Sequence, residues 1–414
     1  MFLLYDLIVH IAWIFLKLAA LFNPKIRLFV QGRKGTFGIL EANISRTDQV
    51  IWIHTASLGE FEQGLPIIEA IRSAYPSYKI LVTFFSPSGY EVKKHTSIAN
   101  LVVYLPLDSR KNAKRFLKLV QPKLAIFVKY EIWPNYLKEL GERQIPTLLI
   151  SALFKKEQIY FKWYGNFMRD ALKEFSHFFV QDKSSEELLN SIGQNNVSIS
   201  GDTRFDRVSQ ILDRDNHLEF MTNFKRDQKC FVAGSTWPED EEVLTSYINS
   251  SNRPIKYVLA PHNIKEKHLD NLISSLTKKS ILYSQIEGID LSNYEVLIVD
   301  TIGLLTKIYS YADIAYVGGG FATGLHNTLE PAVFGIPVII GPNYEKFKEA
   351  RDLVSLQGIL PITSTASFRE ILDRLWDYPE YTIETGNICK KYVAGKKGAT
   401  NIIMAYIHKL ISVH

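Results

Sequence analysis

Two series of short, continuously apolar segments, separated by stretches of helical periodicity, constrain this chain more than any single motif. The first series runs VIWIHTA, KILVTFF, LVVYLPL, KLAIFVKY, TLLISAL, HFFVQD and VSISGD; the second runs KCFVAGS, IKYVLAP, EVLIVDT, DIAYVGG and PVIIGP. Each segment is β-branched or aromatic and is bounded by polar or turn residues. Strands that are apolar throughout need cover on both faces, so the pattern predicts parallel sheets with helices packed above and below. Residues 206–228, DRVSQILDRDNHLEFMTNFKRDQ, are polar, weakly helical and hold no strand candidate. With 414 residues the chain exceeds one ordinary core. The expectation is an α/β protein with two doubly wound, Rossmann-like domains, 36–205 and 229–414, joined by a linker at 206–228. Two such domains facing a cleft would turn the carboxyl ends of both sheets toward it. The last helical stretch, ATNIIMAYIHKLISVH, is amphipathic, and the sequence leaves its destination open, a return to the first domain included.

Residues 1–35 have a different composition. MFLLYDLIVHIAWIFLKLAALF is apolar and aromatic, but Asp6, His10 and Lys17 interrupt it, and Lys25, Arg27, Arg33 and Lys34 follow. A spanning helix needs about 20 apolar residues, and a signal peptide carries its charges ahead of its apolar region. The order here predicts a membrane-associated helix that lies in or dips into the bilayer, its basic flank against anionic headgroups; the competing reading is a helix buried on the protein's own core. A net charge of +5 and pI near 8.8 suit a phosphate-bearing partner and fall short of a nucleic-acid-binding signature. Cys230 and Cys389 form no CxxC and have no histidines at zinc spacing, which argues against a disulfide framework or a structural zinc site.

Motifs collect where strands end. IHTASLGEFEQG, residues 53–64, is a strand-to-helix turn in which Ser57 and Glu60 fit a capping box, so Glu60 is either a cap or a base placed beside a substrate. VKYEIWPN puts Glu131 after an apolar strand, and GDTRFDRV gathers Asp202, Arg204 and Asp206. In the second half, VAGSTWPEDEEVL offers Ser235 or Thr236 as a helix N-cap, and VLAPHN ends a strand at Pro261 and His262. DIAYVGGGFATGLHNTLEPAVFGIPVIIG fails the dinucleotide fingerprint, because Thr323 stands where the third glycine belongs. It leaves a glycine turn, Gly318–Gly320, and then His326, Asn327 and Glu330. A helix beginning near Asn327 could hold a phosphate on its N–H groups while Glu330 accepts from ribose hydroxyls; alternatively Asn327 is an N-cap.

This ordered set, ASLGE, KYEIWPN, AGSTWPEDEE, VGGG, HNTLEPA and GIPVIIGP, resembles the 3-deoxy-D-manno-octulosonic acid (Kdo) transferases of lipopolysaccharide synthesis. The resemblance implies the two-domain GT-B glycosyltransferase architecture, CMP-Kdo as donor, a lipid A precursor (lipid IVA) as acceptor, and residence on the cytoplasmic face of the inner membrane of a Gram-negative-type bacterium. It implies an inverting transfer with Glu60 as general base, Glu131 as a second catalytic carboxylate, and Ser57 and Gly59 on the acceptor side. On the donor side it places Ser235, Thr236, Pro261, His262, Gly303, Gly318, Gly319, Gly320, His326, Asn327 and Glu330. No metal, cofactor or nucleic acid is expected. Where many members read A-P-R-H this chain has Ala260-Pro261-His262-Asn263, so an arginine is replaced, with Arg204 or a lysine as its substitute. Another GT-B transferase or a nucleotide-sugar epimerase, and a silent nucleotide-sugar-binding module, are the alternatives.

Overall fold

The computed structural model describes residues 1–322 and 324–412, so Thr323 lies outside the described residues. The chain divides into two compact units, Met1–Arg207 with Lys397–His414, and Val208–Lys396. Each is built on a seven-stranded, wholly parallel sheet.

The first sheet contains β1 (Val50–Thr55), β2 (Lys79–Phe84), β3 (Leu101–Tyr104), β4 (Leu124–Val128), β5 (Thr147–Ala152), β6 (His177–Val180) and β7 (Val197–Ile199). Their spatial order is β3-β2-β1-β4-β5-β6-β7. All six residues of β1 are buried, and alternate side chains enter opposite cores: Val50 and Trp52 join Phe116, Phe127 and Tyr136, while Ile51 and Ile53 join Phe61, Ile68 and Val82. Two-sided burial is the reason the strand reads as a continuous apolar run. The carboxyl-terminal helix Ala399–Ser412 adds Ile403, Met404 and Ile407 to the second of these cores. Asp206 fixes its start, accepting hydrogen bonds from the Gly398 amide (2.7 Å) and from the amide and hydroxyl of Thr400 (2.7 and 2.8 Å).

The second sheet contains β8 (Lys229–Thr236), β9 (Ile255–Pro261), β10 (Ser280–Leu282), β11 (Val296–Ile298), β12 (Ile314–Val317), β13 (Val338–Ile340) and β14 (Ile359–Pro361), in the order β10-β11-β9-β8-β12-β13-β14. The outermost strands, β10 and β14, were absent from the sequence-based expectation. Each buries only one of its three residues, so neither shows a continuous apolar run. Within 206–228, the helix Glu219–Lys225 buries Met221 and Phe224 against Cys230 and Val232 of this unit.

The amino-terminal helix Phe2–Ala19 is long and apolar enough to cross a membrane, and none of its residues is buried. It is therefore not a core helix. It touches the first unit along one side: the Tyr5 hydroxyl donates to Asp108 (2.9 Å), Asp6 accepts from the Arg110 amide (2.8 Å), and Phe2 meets Phe167 edge-on at 4.9 Å. Leu3, Leu7, Ile14 and Phe15 stay more than half exposed. Asp6, one of the polar residues that interrupt the apolar run, thus helps to attach the helix, and the apolar face is left bare.

Candidate functional site

In an open parallel sheet, ligands collect at the carboxyl ends of the strands where the order of winding reverses. In the first sheet that point lies between β1 and β4, and in the second between β8 and β12. The candidate residues are at both.

At the end of β1, Glu60 enters the first turn of the helix Leu58–Ala74. Its Oε2 accepts from the Ala56 amide at 2.6 Å and the Ser57 amide at 3.0 Å. Both bonds use the same oxygen, and Oε1 accepts no hydrogen bond among the described residues. Glu60 is thus a cap through one oxygen and available through the other, so the two readings of the turn are compatible. Burial pushes its carboxyl above the usual range, the nearby Glu131 adds to the effect, and the Ala56 amide opposes it. Glu131 follows β4, and its Oε2 accepts from His54 Nε2 (3.1 Å) and Trp133 Nε1 (2.9 Å). Between them Lys129 takes a left-handed conformation, φ +70°, uncommon for a residue with a side chain. The structure therefore brings Glu60, Glu131, His54 and Lys129 into one polar group. Ser57 and Gly59 flank it on the turn. Asp202 is instead committed to Arg204 (2.8 Å) and Gln63 (3.2 Å), and Asp206 to the carboxyl-terminal helix.

At the second switch point, Ser235 also takes a positive φ, +55°, where the β8–β9 register shifts. The Thr236 hydroxyl, expected to face a ligand, is buried and donates to Glu241 at 2.8 Å, with His268 on the same carboxylate. Asp240 is fully buried and knits this turn to the next: it accepts from the Trp237 amide (2.9 Å), the Gly319 amide (2.8 Å) and the Tyr316 hydroxyl (2.7 Å). The glycine turn answers first to the protein's own packing. A Cβ on Gly318 would stand 2.3 Å from the Ser235 carbonyl oxygen, and one on Gly320 would stand 2.7 Å from Gly341. Gly319, at φ +91°, would place a Cβ 2.2 Å from the Gly324 carbonyl oxygen.

Above these turns stand three rings. Trp237 and His262 stack at 4.8 Å with 16° between planes, His262 lies 4.7 Å from His326, and Trp237 Nε1 donates to His326 Nε2 at 3.1 Å. Burial and the neighbouring His262 push the His326 imidazole below its ordinary value, so it is neutral at pH 7 and protonated on Nδ1. Pro261 is buried at the end of β9, and His262 next to it is exposed.

The helix expected near Asn327 begins at Leu329 and spans four residues, Leu329–Ala332. A single turn carries little of the dipole that phosphate binding needs. Asn327 does act locally as a cap, accepting from the Leu329 amide at 3.1 Å, and its amide donates to Glu330 at 3.0 Å. Glu330 also accepts from Thr306 at 3.3 Å. Gly303 sits at φ +99° in the loop before Thr306, with open space where a Cβ would be.

Two residues of these sites escaped the sequence reading. Trp237 was quoted only as part of a cap motif, and His54 only as the end of a strand; the sequence signal in each case was a ring at a strand terminus. Among the described residues no group of three or more His, Cys, Asp or Glu side chains could hold a metal ion.

Residues 31–207 match the family model of the 3-deoxy-D-manno-octulosonic-acid transferases (kdotransferases). The 3-deoxy-D-manno-octulosonic acid transferase of Haemophilus influenzae is 29% identical over 402 residues, 93% of this chain and 92% of that protein. The transferase of the same name from Chlamydophila psittaci is 26% identical over 354 residues, covering 83% and 81%. A solved structure, the UDP-GlcNAc 2-epimerase of Neisseria meningitidis bound to UDP-GlcNAc, matches with a TM-score of 0.61 at 17% identity, covering 87% of this chain and 100% of that one. That likeness concerns the fold, which is of the GT-B class.

Proposed function

The chain belongs to the 3-deoxy-D-manno-octulosonic acid transferase family, a family of glycosyltransferases, and from that premise we propose that it moves Kdo from CMP-Kdo to a lipid A precursor such as lipid IVA, with Glu60 as general base. The observation that carries the mechanism is the setting of Glu60. It is held at the switch point by two backbone donors on one oxygen, its other oxygen accepts no hydrogen bond among the described residues, and its proton affinity is raised.

A sugar hydroxyl is a weak nucleophile until its proton is taken as the new bond forms. In the proposed step the acceptor O–H bond breaks and its proton passes to Glu60. The acceptor oxygen bonds to the anomeric carbon of Kdo, and the bond from that carbon to the phosphate oxygen breaks. CMP departs with the electron pair, and configuration inverts without a covalent intermediate. Raising the base's proton affinity improves transfer so long as it stays ionised at working pH. Glu131, beside it, is the second carboxyl group of the site.

Donor binding is assigned to the second unit, with the Trp237, His262 and His326 rings beside the glycine turn and Glu330 toward the ribose. His326 is neutral, so it offers a hydrogen bond and not a counter-charge. The leaving group is a single phosphate ester, and the proposed transfer takes place without a metal. The bare apolar face of the helix Phe2–Ala19 supports residence on the inner membrane, cytoplasmic side, where an acylated acceptor need not leave the bilayer.

The test is transfer of labelled Kdo from CMP-Kdo, generated in situ, to a tetra-acylated lipid A precursor, run beside UDP-sugars. Transfer from CMP-Kdo alone is expected. Turnover of a UDP-sugar with no Kdo transfer would instead indicate another GT-B activity.

A further inference from the structure

His54 is the most deeply buried titratable group beside Glu60, and the proposed chemistry gives it no task. It is fully buried at the end of β1, directly opposite Thr83 of β2 in the strand register. Both ring nitrogens are engaged. Nδ1 lies 2.8 Å from the Thr83 hydroxyl and 3.1 Å from the Thr83 carbonyl oxygen; Nε2 lies 3.1 Å from Glu131 Oε2. Trp52 Nε1 donates to the same Thr83 hydroxyl at 2.8 Å, and Trp133 Nε1 donates to Glu131 at 2.9 Å.

This chain favours one assignment of donors and acceptors. With one lone pair of the Thr83 hydroxyl filled by Trp52, its proton is free to point at His54 Nδ1, which leaves the imidazole proton on Nε2. If the ring is instead doubly protonated, Nδ1–H donates to the Thr83 carbonyl and Nε2 again carries a proton. In both arrangements Nε2–H faces Glu131 Oε2, and only a proton on Nδ1 alone would leave Nε2 bare against that oxygen. Glu131 thus accepts from two side-chain donors on one oxygen, whereas Glu60 is placed where burial and a neighbouring carboxyl favour proton uptake.

We propose that His54 is a positioning residue: through Nε2–H it fixes the Glu131 carboxyl in one orientation beside Glu60, so that the proton leaving the acceptor hydroxyl is directed to Glu60. This rests on the reading of Glu60 as the base. The groups that act electrostatically on Glu60 are His54 from β1 and Lys129 and Glu131 from the loop after β4, with Tyr130 of that loop in turn influenced by Glu60. Lys93 and Arg207 pair with Glu62, on the same helix as Glu60.

His54→Asn and His54→Gln in the full chain separate positioning from packing. A glutamine amide nitrogen reaches about as far as Nε2, and an asparagine nitrogen only as far as Nδ1. The expected result is a kcat loss on the order of tenfold to a hundredfold for the asparagine variant. Its KM values for CMP-Kdo and lipid acceptor should stay within about twofold, its acid limb of kcat/KM should move, and the glutamine variant should recover most of the rate. Equal losses in both variants that follow their melting temperatures, or no loss in either, would overturn the proposal. Histidine-selective 15N spectra of the full chain give a readout independent of turnover. A proton on His54 Nε2 across neutral pH is expected, and a bare Nε2 would overturn the assignment. Retained turnover in Glu60→Gln would overturn the base and leave the Nε2 result standing.

Discussion

Glu60 shows how one residue can answer to two physical demands. Its Oε2 closes the amino terminus of a helix, and its burial makes the ionised form costly. A carboxyl whose pKa is raised in the folded state stabilises the fold below its unfolded pKa and loses that contribution as pH rises through the folded value. At neutral pH, Glu60→Gln should therefore melt at the wild-type temperature or above it, with the advantage vanishing in acid, as thermal unfolding at the two pH values would record. Catalysis runs the other way: the base must be ionised, so kcat/KM should fall on the acid side with a limb above the ordinary carboxylate value of about 4.3. Gly319→Ala tests the other site. A Cβ at φ +91°, 2.2 Å from a carbonyl oxygen, should destabilise the second unit by about 2 kcal/mol or more and weaken CMP binding, measured by denaturant unfolding and calorimetry. Glu60 and Glu131 were legible because each follows an apolar strand in a recognisable turn. His54 and Trp237 were not, because their meaning depends on partners across strands, Thr83 and Glu131 for one and His262 and His326 for the other, which no local pattern encodes.

At the scale of elements, the strands that line the sites were the most legible and those at the edge of the second sheet the least. β1, β4, β8 and β12 are central and mostly apolar, whereas β10 and β14 lie at the edges and bury one residue each, with little to distinguish them from loop. The short helix after Asn327 was misjudged for a related reason. Asn327 does cap it, but Gly335 at φ +75° ends the turn just beyond, so the helix has four residues and offers a phosphate little of the dipole that helix reasoning drew on. The amino-terminal helix carries a prediction of its own. Tyr5 and Asp6 attach it to the first unit while its leucines stay bare, so removing residues 1–22 should raise KM for a bilayer acceptor about tenfold or more and leave KM for CMP-Kdo within about twofold. Equal effects on both substrates would separate the helix from membrane binding.

The whole chain is not two units strung end to end, since residues after Lys397 return to complete the first. Truncation before Lys397 would strip Ile403 and Ile407, both fully buried, from its core; at roughly 2 kcal/mol for each buried side chain the first unit should lose at least about 4 kcal/mol, visible as an early unfolding transition. The proposed metal-free chemistry predicts that a chelator, added once CMP-Kdo has accumulated, leaves the transfer rate unchanged. The central claim, that Glu60 is the base, is tested most directly by single-turnover Kdo transfer in wild type and Glu60→Gln, compared at equal folded fraction and equal CMP affinity. The account predicts a loss of about a hundredfold to ten-thousandfold in the chemical step with CMP binding intact. Turnover near the wild-type rate would contradict it and leave Glu60 a helix cap alone.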